Sequence, residues 1–541
     1  MFFMNQQQAE INADCTRIPY QQTGYYSKTI VDYLEEKDTL KPFYNYPVSI
    51  DGIKAAIEQR QAFPQQRDAL VNVLQQQYQG LSISAKTGAN IELLSQPDTF
   101  TITTAHQPVI FTGPLYFAYK ILHTVKLAET LSQQLPDYNF VPVFYMGSED
   151  ADLDELGTIN VDGKQYKWNT KQTGAVGRMK VDKEFLTLLQ ALENQISVLP
   201  FGNQLIDIFK RCYRVDATIQ QATLEVINEL FGEYGVVVLI PDSSEVKRLL
   251  IPVFQKEIEE QFSHTEVEKA VAELSKNYKV QAGGREINLF YLIDDSRERI
   301  EKVGDKFTVQ SKNLSFTKEE LLQDLQDHPE RFSPNVILRG VLQETVLPNI
   351  VFIGGGGELA YWLELKTVFA SVNVPYPILL LRNSFLFITA KQEEKIINLG
   401  FNSADFFKDN LQLINELIER TASHQISIEK ERQEAKELFL KLKSIISKSD
   451  STLAEHTVAI HALMEKKLAA LQIKIMRAER RKHDTEKKQI EIIKEQLFAG
   501  GNLQERIENI SGWYARYGND FIKNIYQNSL SLEQQFTIVN L

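Results

Sequence analysis

Three segments of the sequence place polar side chains or glycines directly after an apolar run, where a strand is predicted to end. In the first, His106 and Gln107 follow the run, and Thr112 and Gly113 precede a helical pattern for which Thr112 is the predicted N-cap. A helix start beside a strand end binds phosphate or carboxylate well. His106 is therefore a candidate catalytic residue that offsets developing negative charge, and Gln107, Thr112 and Gly113 are candidate nucleotide ligands. The alternative is a loop histidine without a role.

The second segment ends an apolar strand pattern with five acidic residues within seven positions: Glu149, Asp150, Asp152, Asp154 and Glu155. Like charges at this density repel one another unless a cation, an amine or plentiful water separates them. A substrate amino group or Mg²⁺ would relieve the repulsion; the alternative is a set of acids favoured by a helix N-terminus. Glu149 and Asp150 lie nearest the strand end and are predicted to be catalytic, and Asp152 is predicted to bind substrate.

The third segment contains a run of four glycines between a predicted strand and a predicted helix. Without a Cβ, glycine lets backbone N–H groups approach a ligand closely, although a tight turn would use the same residues. Arg339 lies upstream of the run, which favours a binding loop. The predicted nucleotide ligands are Gly354, Gly355, Gly356 and Gly357. The predicted substrate ligands are Asn335, Arg339, Glu358 and Tyr361.

Short β-rich runs alternate with helical patterns up to about residue 385, which is typical of βαβ units around a mostly parallel sheet. Several runs are almost continuously apolar, as strands covered on both faces are. Turn pairs at Asp294 with Asp295 and at Gly304 with Asp305 interrupt this order, so residues 294–310 are predicted to form a small antiparallel insertion. The predicted strands are 100–104, 140–146, 236–240, 289–293, 349–353 and 378–381.

Beyond residue 385 the sequence is helical, with two long patterns of similar length joined by a short polar link. The predicted arms are 403–448, capped by Ser403, and 452–497, opened by a capping box at Thr452. Two such arms predict an antiparallel hairpin in which the numbers of facing residues add up to about 900. Poor helix propensity over 421–425 marks a place where the first arm is expected to break or kink.

The second arm carries a basic run over 477–488. One interpretation is an RNA-binding surface. The pairing of the arms instead places Glu419 opposite Arg481, so a solvated and internally paired face is favoured. A projecting apolar hairpin can also bury a flank against a second copy, and homodimerisation is therefore a further hypothesis.

The composition narrows the class of protein. The 541 residues are 43% apolar and 24% charged, and 59 Lys and Arg against 71 Asp and Glu give a net charge of −12. This balance disfavours a general nucleic-acid binder. Two cysteines and the lack of an HExxH pattern predict no metal site held by the protein. Without a signal-peptide pattern or a long apolar run, the sequence predicts a soluble cytoplasmic protein that does not enter a membrane.

Together the three segments resemble the BshC family, the cysteine ligases of bacillithiol biosynthesis. The matching pieces are 107–116 with Lys120, 147–155, 333–339 and 354–362. The resemblance implies an α/β fold whose Rossmann-like core, over 1–384, is like the nucleotide-binding fold of class I aminoacyl-tRNA synthetases. It also implies an inserted connecting subdomain, roughly within 155–310, and a C-terminal antiparallel α-helical coiled coil over 385–541 that mediates dimerisation.

The resemblance further implies the last step of bacillithiol synthesis, in which L-cysteine is joined to the amine of glucosaminyl-malate. ATP, with Mg²⁺, would activate the cysteine carboxylate as an acyl-adenylate, and the sugar amine would then attack. Gly356 stands where the family's glycine loop usually has proline, and His106 stands where many members have glutamine. The paired histidines and the Lys-Met-Ser-Lys-Ser loop of class I synthetases are absent, so adenylation is expected from fold analogy alone. The alternatives are a synthetase-like RNA-binding protein and a non-catalytic scaffold of the same pathway.

Overall fold

A computed structural model describes residues 14–281, 283–422 and 425–541 of the protein. These residues form two compact units. The first unit extends to Leu386 and also includes Leu503–Val539, and the second comprises Phe387–Asn502 with Asn540–Leu541. The chain therefore returns to the first unit after the helical region. The sequence prediction divides the chain once, at residue 385, and does not include this return.

The bounds of the regular elements are as follows. The strands are β1 (Asp14–Pro19), β2 (Thr99–His106), β3 (Asn139–Met146), β4 (Thr158–Val161), β5 (Lys164–Lys167), β6 (Val237–Leu239), β7 (Leu289–Ile293), β8 (Ser296–Arg299), β9 (Glu301–Val303), β10 (Lys306–Val309), β11 (Leu314–Phe316), β12 (Phe332–Pro334), β13 (Asn349–Gly354), β14 (Ile378–Leu381), β15 (Phe385–Ile388) and β16 (Gln535–Asn540). The α-helices are α1 (Tyr20–Thr23), α2 (Lys28–Leu34), α3 (Ile50–Gln61), α4 (Arg67–Gln77), α5 (Ala85–Leu93), α6 (Tyr116–Gln134), α7 (Leu153–Leu156), α8 (Lys183–Ile196), α9 (Gly202–Cys212), α10 (Ile219–Phe231), α11 (Ser244–Arg248), α12 (Ile251–Glu260), α13 (Phe262–Leu274), α14 (Lys318–Asp327), α15 (Val336–Val346), α16 (Gly356–Trp362), α17 (Lys366–Ser371), α18 (Ala390–Asn398), α19 (Asn410–Thr421), α20 (Glu429–Ile446), α21 (Ser451–Arg480), α22 (Asp484–Leu497), α23 (Gln504–Ile507), α24 (Ile510–Tyr517) and α25 (Asn519–Asn528).

The first unit is built on a five-stranded parallel sheet in the order β14-β13-β2-β3-β6. Every residue of β2 is buried, and β3 is buried from its second residue onward. Such strands have no solvent-facing side, which is why their sequences do not alternate between apolar and charged residues. The predicted parallel sheet is confirmed for the runs 100–104, 140–146, 236–240, 349–353 and 378–381, each of which overlaps one of these strands.

The strand predicted over 289–293 forms as β7, but it does not join the parallel sheet. It lies in the antiparallel sheet β12-β7-β8, because a two-residue turn in which Asp294 has a φ of 50° folds β8 back onto it. The antiparallel sheet β11-β10-β9 turns at Gly304, where φ is 63°. The antiparallel strands continue to Pro334, beyond the end of the predicted insertion at residue 310.

The first helical arm is not the continuous helix over 403–448 that the sequence predicts. Ser403–Phe407 is a 3₁₀ helix, and Asp409 is the N-cap of α19, its side chain accepting the N–H of Gln412 at 2.8 Å. Ser403 therefore does not cap the arm, because Asn402 precedes the 3₁₀ helix as its cap and the α-helix begins only after Asp409.

The arm is also interrupted near the predicted weak point. Ala422 and residues 425–428 lie outside any helix, while 423–424 are outside the described residues. Threonine, serine and histidine at 421–424 favour a helix poorly, so α19 and α20 are separate helices.

The second arm starts and ends close to the predicted positions, but its cap is different. Asp450 is the N-cap of α21, and its Oδ1 accepts the N–H of Thr452 at 2.7 Å. Thr452 therefore lies inside the helix, and the predicted capping box at this residue is wrong. A 3₁₀ turn at Arg481–His483 separates α21 from α22.

Side-chain contacts confirm that the arms pair antiparallel. Gln472 accepts the N–H of Ile428 at 2.9 Å and donates to the carbonyl of Ile426 at 3.1 Å, and the rings of Phe439 and His461 lie 5.2 Å apart. Each pair of numbers adds up to about 900, as the hairpin predicts.

Within the described ranges, no helix combines the length and apolar content that a membrane span requires.

Candidate active site

A cavity of about 540 Å³ lies within the first unit, where loops after the parallel strands meet the antiparallel sheet β12-β7-β8. β2 ends in His106, β3 is followed by Glu149 and Asp150, and β13 is followed by the glycine run. The cavity brings together ten of the fifteen predicted site residues: His106, Gln107, Glu149, Asp150, Asn335, Arg339, Gly355, Gly357, Glu358 and Tyr361.

His106 is held as a neutral imidazole. Its ring lies 9% exposed, with Nδ1 3.0 Å from the carbonyl oxygen of Gln107 and Nε2 3.2 Å from the hydroxyl of Tyr116. Burial and the nearby Lys120 lower the pKa of His106 to about 4. Because a carbonyl only accepts, Nδ1 carries the proton and Nε2 accepts from Tyr116. His106 is therefore uncharged at neutral pH and does not supply the positive charge that the sequence interpretation gave it.

Glu149 is already occupied by protein partners. Its carboxylate forms an ion pair with the fully buried Lys247 and accepts from the hydroxyl of Ser333 at 3.1 Å. Lys247 also donates to the carbonyl of Phe332 at 2.6 Å. Burial raises the pKa of Glu149, although Lys247 opposes that shift. The buried pair consequently fixes β12 against the loop that follows β3.

Asp150 remains directed at the cavity. Gln107 donates to Asp150 Oδ2 at 3.0 Å, so two predicted site residues from neighbouring strand ends hold each other. Glu155 also lines the cavity, and burial together with Asp152 and Asp150 raises its pKa. These two carboxylates, rather than Glu149, are placed to meet a substrate amine.

Glu358 and Lys120 form a second buried pair on the glycine side of the cavity. Glu358 accepts from Lys120 and, at 2.9 Å, from the N–H of Gly355, while Lys120 also donates to the carbonyl of Ala105 at 2.9 Å. Burial lowers the pKa of Lys120 to about 8, although Glu358 opposes that shift. Burial alone would raise the pKa of Glu358, but Lys120 and the Gly355 N–H lower it overall.

Cationic side chains outnumber acidic ones around the cavity, in contrast to the whole chain. The acids are Glu149, Asp150, Glu155 and Glu358. The cations are Lys120, Arg285, Arg297, Arg339, Arg382 and Arg506. Two of the acids are neutralised by buried lysines, so the cavity presents an excess of positive charge suited to phosphate or carboxylate groups.

Several of the guanidinium groups are fixed in place. Arg339 donates to the hydroxyl of Tyr361 at 2.5 Å. Arg297 lies 3.8 Å from the centroid of the Phe290 ring and donates to the hydroxyl of Ser333 at 3.0 Å. Planar groups held in this way keep further N–H donors available for an anionic ligand.

Thr112 and Gly113 lie outside the cavity, contrary to the prediction. Thr112 adopts a left-handed φ of 68° and is not the N-cap of a helix, because α6 begins only at Tyr116 with Leu115 as its N-cap residue. The carbonyl of Gly113 accepts from the side chain of Asn509 at 2.5 Å. This loop therefore supports the first unit instead of offering a helix start to a phosphate.

Three further predicted ligands have structural roles outside the cavity. Asp152 caps α7 by accepting the N–H of Glu155 at 3.1 Å. The carbonyl of Gly354 accepts the N–H of Arg382 at 2.8 Å, and Gly356 is the first residue of α16. None of the three lines the cavity as the structure describes it.

The sequence interpretation missed Lys247, Arg297, Arg382 and Arg506. Lys247 and Arg382 could have been found, because they follow β6 and β14 at the same edge of the parallel sheet as His106 and Glu149. Arg297 comes from the antiparallel hairpin whose turn the sequence predicts, but nothing local shows that this hairpin faces the strand ends. Arg506 comes from the returning C-terminal segment, for which the sequence carries no local signal. Among the described residues, no group of three or more His, Cys, Asp or Glu side chains is arranged to hold a metal ion.

Two family models match the chain. The N-terminal Rossmann-like domain of bacillithiol biosynthesis BshC matches residues 13–383, and the C-terminal coiled-coil domain of BshC matches residues 385–541. The chain belongs to the BshC family. The family resemblance stated from the sequence is thereby confirmed, as are the Rossmann-like and coiled-coil assignments of the two parts.

BshC relatives align over nearly the whole chain, and each is named "Putative cysteine ligase BshC". The Flavobacterium johnsoniae protein is 37% identical over 532 residues, covering 98% of this chain and 99% of the relative. The Cytophaga hutchinsonii protein is 37% identical over 513 residues, covering 95% of this chain and 96% of the relative. The Chlorobaculum tepidum protein is 31% identical over 487 residues, covering 84% and 85%.

A solved structure titled "putative arginyl t-RNA synthetase", from Campylobacter jejuni, covers 84% of this BshC chain and 100% of that chain. Its TM-score is 0.22 at 9% sequence identity. A score this low says nothing about the fold, so the likeness to class I synthetases stays a prediction.

Proposed function

We propose that this protein is a carbon–nitrogen ligase of bacillithiol biosynthesis that joins the carboxyl group of L-cysteine to the amine of glucosaminyl-malate. The relatives' shared name supports the reaction class and the amino acid. The observation that carries the proposal is the cation-rich cavity at the strand ends, which gathers most of the predicted site residues. A nucleotide and a sugar acid are both anionic, and the excess of arginines around the cavity suits such ligands.

The reaction needs ATP because an amine does not condense usefully with a carboxylate anion in water. A cysteine carboxylate oxygen would attack the α-phosphorus of ATP, forming cysteinyl-adenylate and releasing pyrophosphate. The sugar amine would then attack the acyl carbon, forming the C–N bond as the bond to AMP breaks and the amine loses a proton. Holding the reactants in position can contribute about 7–11 kcal/mol, so no covalent nucleophile on the protein is required.

The geometry suggests a role for each wall. Arg339, fixed by Tyr361, would bind an anionic end such as the malate carboxylates. The N–H of Gly357 and the ammonium of Lys120 would face phosphate oxygens, with any Mg²⁺ arriving on the nucleotide. Asp150 would accept a hydrogen bond from the sugar amine, since Glu149 is occupied by Lys247.

Reconstitution tests this proposal. Purified protein with ATP, Mg²⁺, L-cysteine and glucosaminyl-malate should yield the ligated thiol together with AMP and pyrophosphate. ADP and phosphate as co-products would replace the adenylate with an acyl-phosphate. No ligated product under any nucleotide condition, with thiol production in cells unchanged in the His106→Ala and Glu149→Ala variants, would favour the scaffold alternative.

The hairpin supports a second proposal, homodimerisation through the coiled coil. Large apolar side chains on both helices are at least 37% exposed, including Leu438, Leu440, Leu442, Ile445, Leu453 and Leu463. A two-helix hairpin leaves such side chains in water, and a second copy of the hairpin would cover them. Light scattering should give twice the 62.0 kDa chain mass, and a monomeric mass would contradict the proposal.

A further inference from the structure

A second cavity, of about 340 Å³, adjoins the proposed active site within the first unit. It shares three lining residues with the larger cavity: Tyr116, Glu155 and Arg506. Its remaining lining comes from the loop before α6, from α7 and β4, and from α23. The two cavities therefore meet at Tyr116, whose hydroxyl also contacts His106 at 3.2 Å.

The wall that carries Arg506 is anchored on both sides. Next to it, the buried Glu505 forms an ion pair with Arg382 at 2.6 Å. The following residues are held by the N–H of Leu115, which donates to the carbonyl of Glu508 at 2.8 Å, and by Asn509, which donates to the carbonyl of Phe111 at 2.8 Å. The returning C-terminal segment thus holds the backbone of Arg506 at the junction of the two cavities.

The charges at this junction are opposite and are not paired with each other. In the part of the chain that the structure describes, neither Glu155 nor Arg506 forms an ion pair, whereas the neighbouring Asp154 is engaged by Lys167 at 2.7 Å. Burial and the nearby acids Asp152 and Asp150 raise the pKa of Glu155, so its carboxylate would gain from a cationic ligand.

The remaining lining suits a small ligand. Pro114, Ile159 and Ile507 provide apolar surface between the charged groups. A free α-amino acid carries one ammonium, one carboxylate and a short side chain. The ammonium matches Glu155, the carboxylate matches Arg506, and the side chain matches the apolar surface. A nucleotide offers no cationic group for the acid, and glucosaminyl-malate carries two carboxylates where the lining of this cavity supplies one arginine.

We propose that the second cavity binds the zwitterion of an L-α-amino acid, with its ammonium on Glu155 and its carboxylate on Arg506 at the entrance to the larger cavity. The identity of that amino acid as cysteine rests on the proposed function. This placement separates the two amines of the reaction, because Glu155 binds the amine of cysteine and Asp150 meets the amine of the sugar. Because Arg506 lines both cavities, the cysteine carboxylate would lie where they meet.

Calorimetric titration of the full-length protein with three thiols under reducing conditions tests the proposal. The thiols are L-cysteine, cysteamine, which lacks the carboxylate, and 3-mercaptopropionate, which lacks the ammonium. Wild-type protein should bind cysteine about 10- to 100-fold more tightly than either analogue, the range for losing a hydrogen bond to a charged group. Arg506→Gln should no longer distinguish cysteine from cysteamine, and Glu155→Gln should no longer distinguish cysteine from 3-mercaptopropionate.

The matched controls are Lys523→Gln, in the same C-terminal segment, and Glu184→Gln, both exposed and outside the two cavities. Their cysteine affinity should stay within about twofold of wild type, as for ordinary surface substitutions. Thermal unfolding of each variant checks that it folds.

Kinetics separate this proposal from the proposed function. In a ligation assay, Arg506→Gln and Glu155→Gln should raise the KM for cysteine far more than the KM for glucosaminyl-malate. Selective cysteine binding by a wild-type protein that forms no product would refute the ligase and leave the amino-acid site in place. Ligation in which both variants keep the wild-type KM for cysteine would overturn the amino-acid site alone, as would equal binding of all three thiols.

Discussion

Lysine–glutamate pairs occur in both units of the protein, but in opposite surroundings. Lys247 with Glu149 and Lys120 with Glu358 have side-chain exposures of 0% with 9% and 2% with 23%. In the hairpin, Lys487 and Glu491 lie 3.9 Å apart with exposures of 44% and 45%. The same residue types therefore form a largely buried cavity wall in one unit and an exposed helix surface in the other.

The difference shows why charge density alone does not identify a site. The hairpin run over 477–488 is the most basic stretch noted in the sequence, yet Arg480 donates to Asn415 at 3.0 Å and Lys482 pairs with Glu479 at 2.7 Å. The cavity draws its cations from separate segments, and no local count reveals them. Buried charges also respond strongly to loss of a partner, whereas exposed pairs do not.

The largest effect should come from Lys247→Met, which leaves Glu149 buried without its counter-ion. Breaking a buried pair in this way should cost about 3–5 kcal/mol of unfolding free energy at neutral pH. Urea unfolding followed by tryptophan fluorescence measures it. The double variant Lys247→Met with Glu149→Gln should recover more than half of the loss, since no buried charge is then left. Equal stability of Lys247→Met and wild type would show that the pair does not hold the wall.

An intermediate effect is expected from pH, through Lys120. Burial lowers the pKa of this lysine to about 8, so its ammonium is present below that pH and is lost as the pH rises through it. Binding of an anionic substrate should therefore weaken between pH 7 and 9 in wild type. Lys120→Arg keeps its charge throughout this range and should remove the dependence. Measured nucleotide affinity that is flat in wild type, or equally steep in the variant, would exclude Lys120 as an anion ligand.

The smallest effect should come from Lys487→Gln in the hairpin. An exposed helix pair of this kind contributes about 0–1 kcal/mol, and salt screens it. The urea midpoint should therefore hardly move, and ligation should be unchanged. A loss of unfolding free energy comparable to that of Lys247→Met would contradict the expected difference between buried and exposed pairs.

The parallel sheet could be predicted because strands buried on both faces are almost continuously apolar in sequence. The predicted strand ends then indicated His106, Glu149, Asp150 and the glycine run as site residues. The prediction failed at Thr112, where a left-handed backbone delays the helix until Tyr116. The predicted cap at Ser403 was also wrong, because several residues near a helix start can act as caps and tertiary packing selects among them.

Which distant residues pair with each other could not be predicted, although the strand ends could have pointed to Lys247 and Arg382 as site residues. Lys247 is 98 residues from Glu149, and Arg382 is 123 residues from Glu505. Their pairing depends on how the loops and the returning C-terminal segment pack, which no local pattern specifies. The neutral state of His106 likewise follows from its burial and from the nearby Lys120, and the residues beside His106 in the sequence show neither.

The central claim is that the cation-rich cavity of the first unit carries out ligation. The most direct measurement is the rate of ligated thiol formation by Arg339→Met beside the hairpin control Arg477→Met, with thermal unfolding to confirm that both fold. Removing one partner of a buried charged contact costs about 2–5 kcal/mol, so Arg339→Met should lose roughly 30-fold or more of the rate. Arg477→Met should match wild type. Full activity in Arg339→Met, or an equal loss in both variants, would contradict the account.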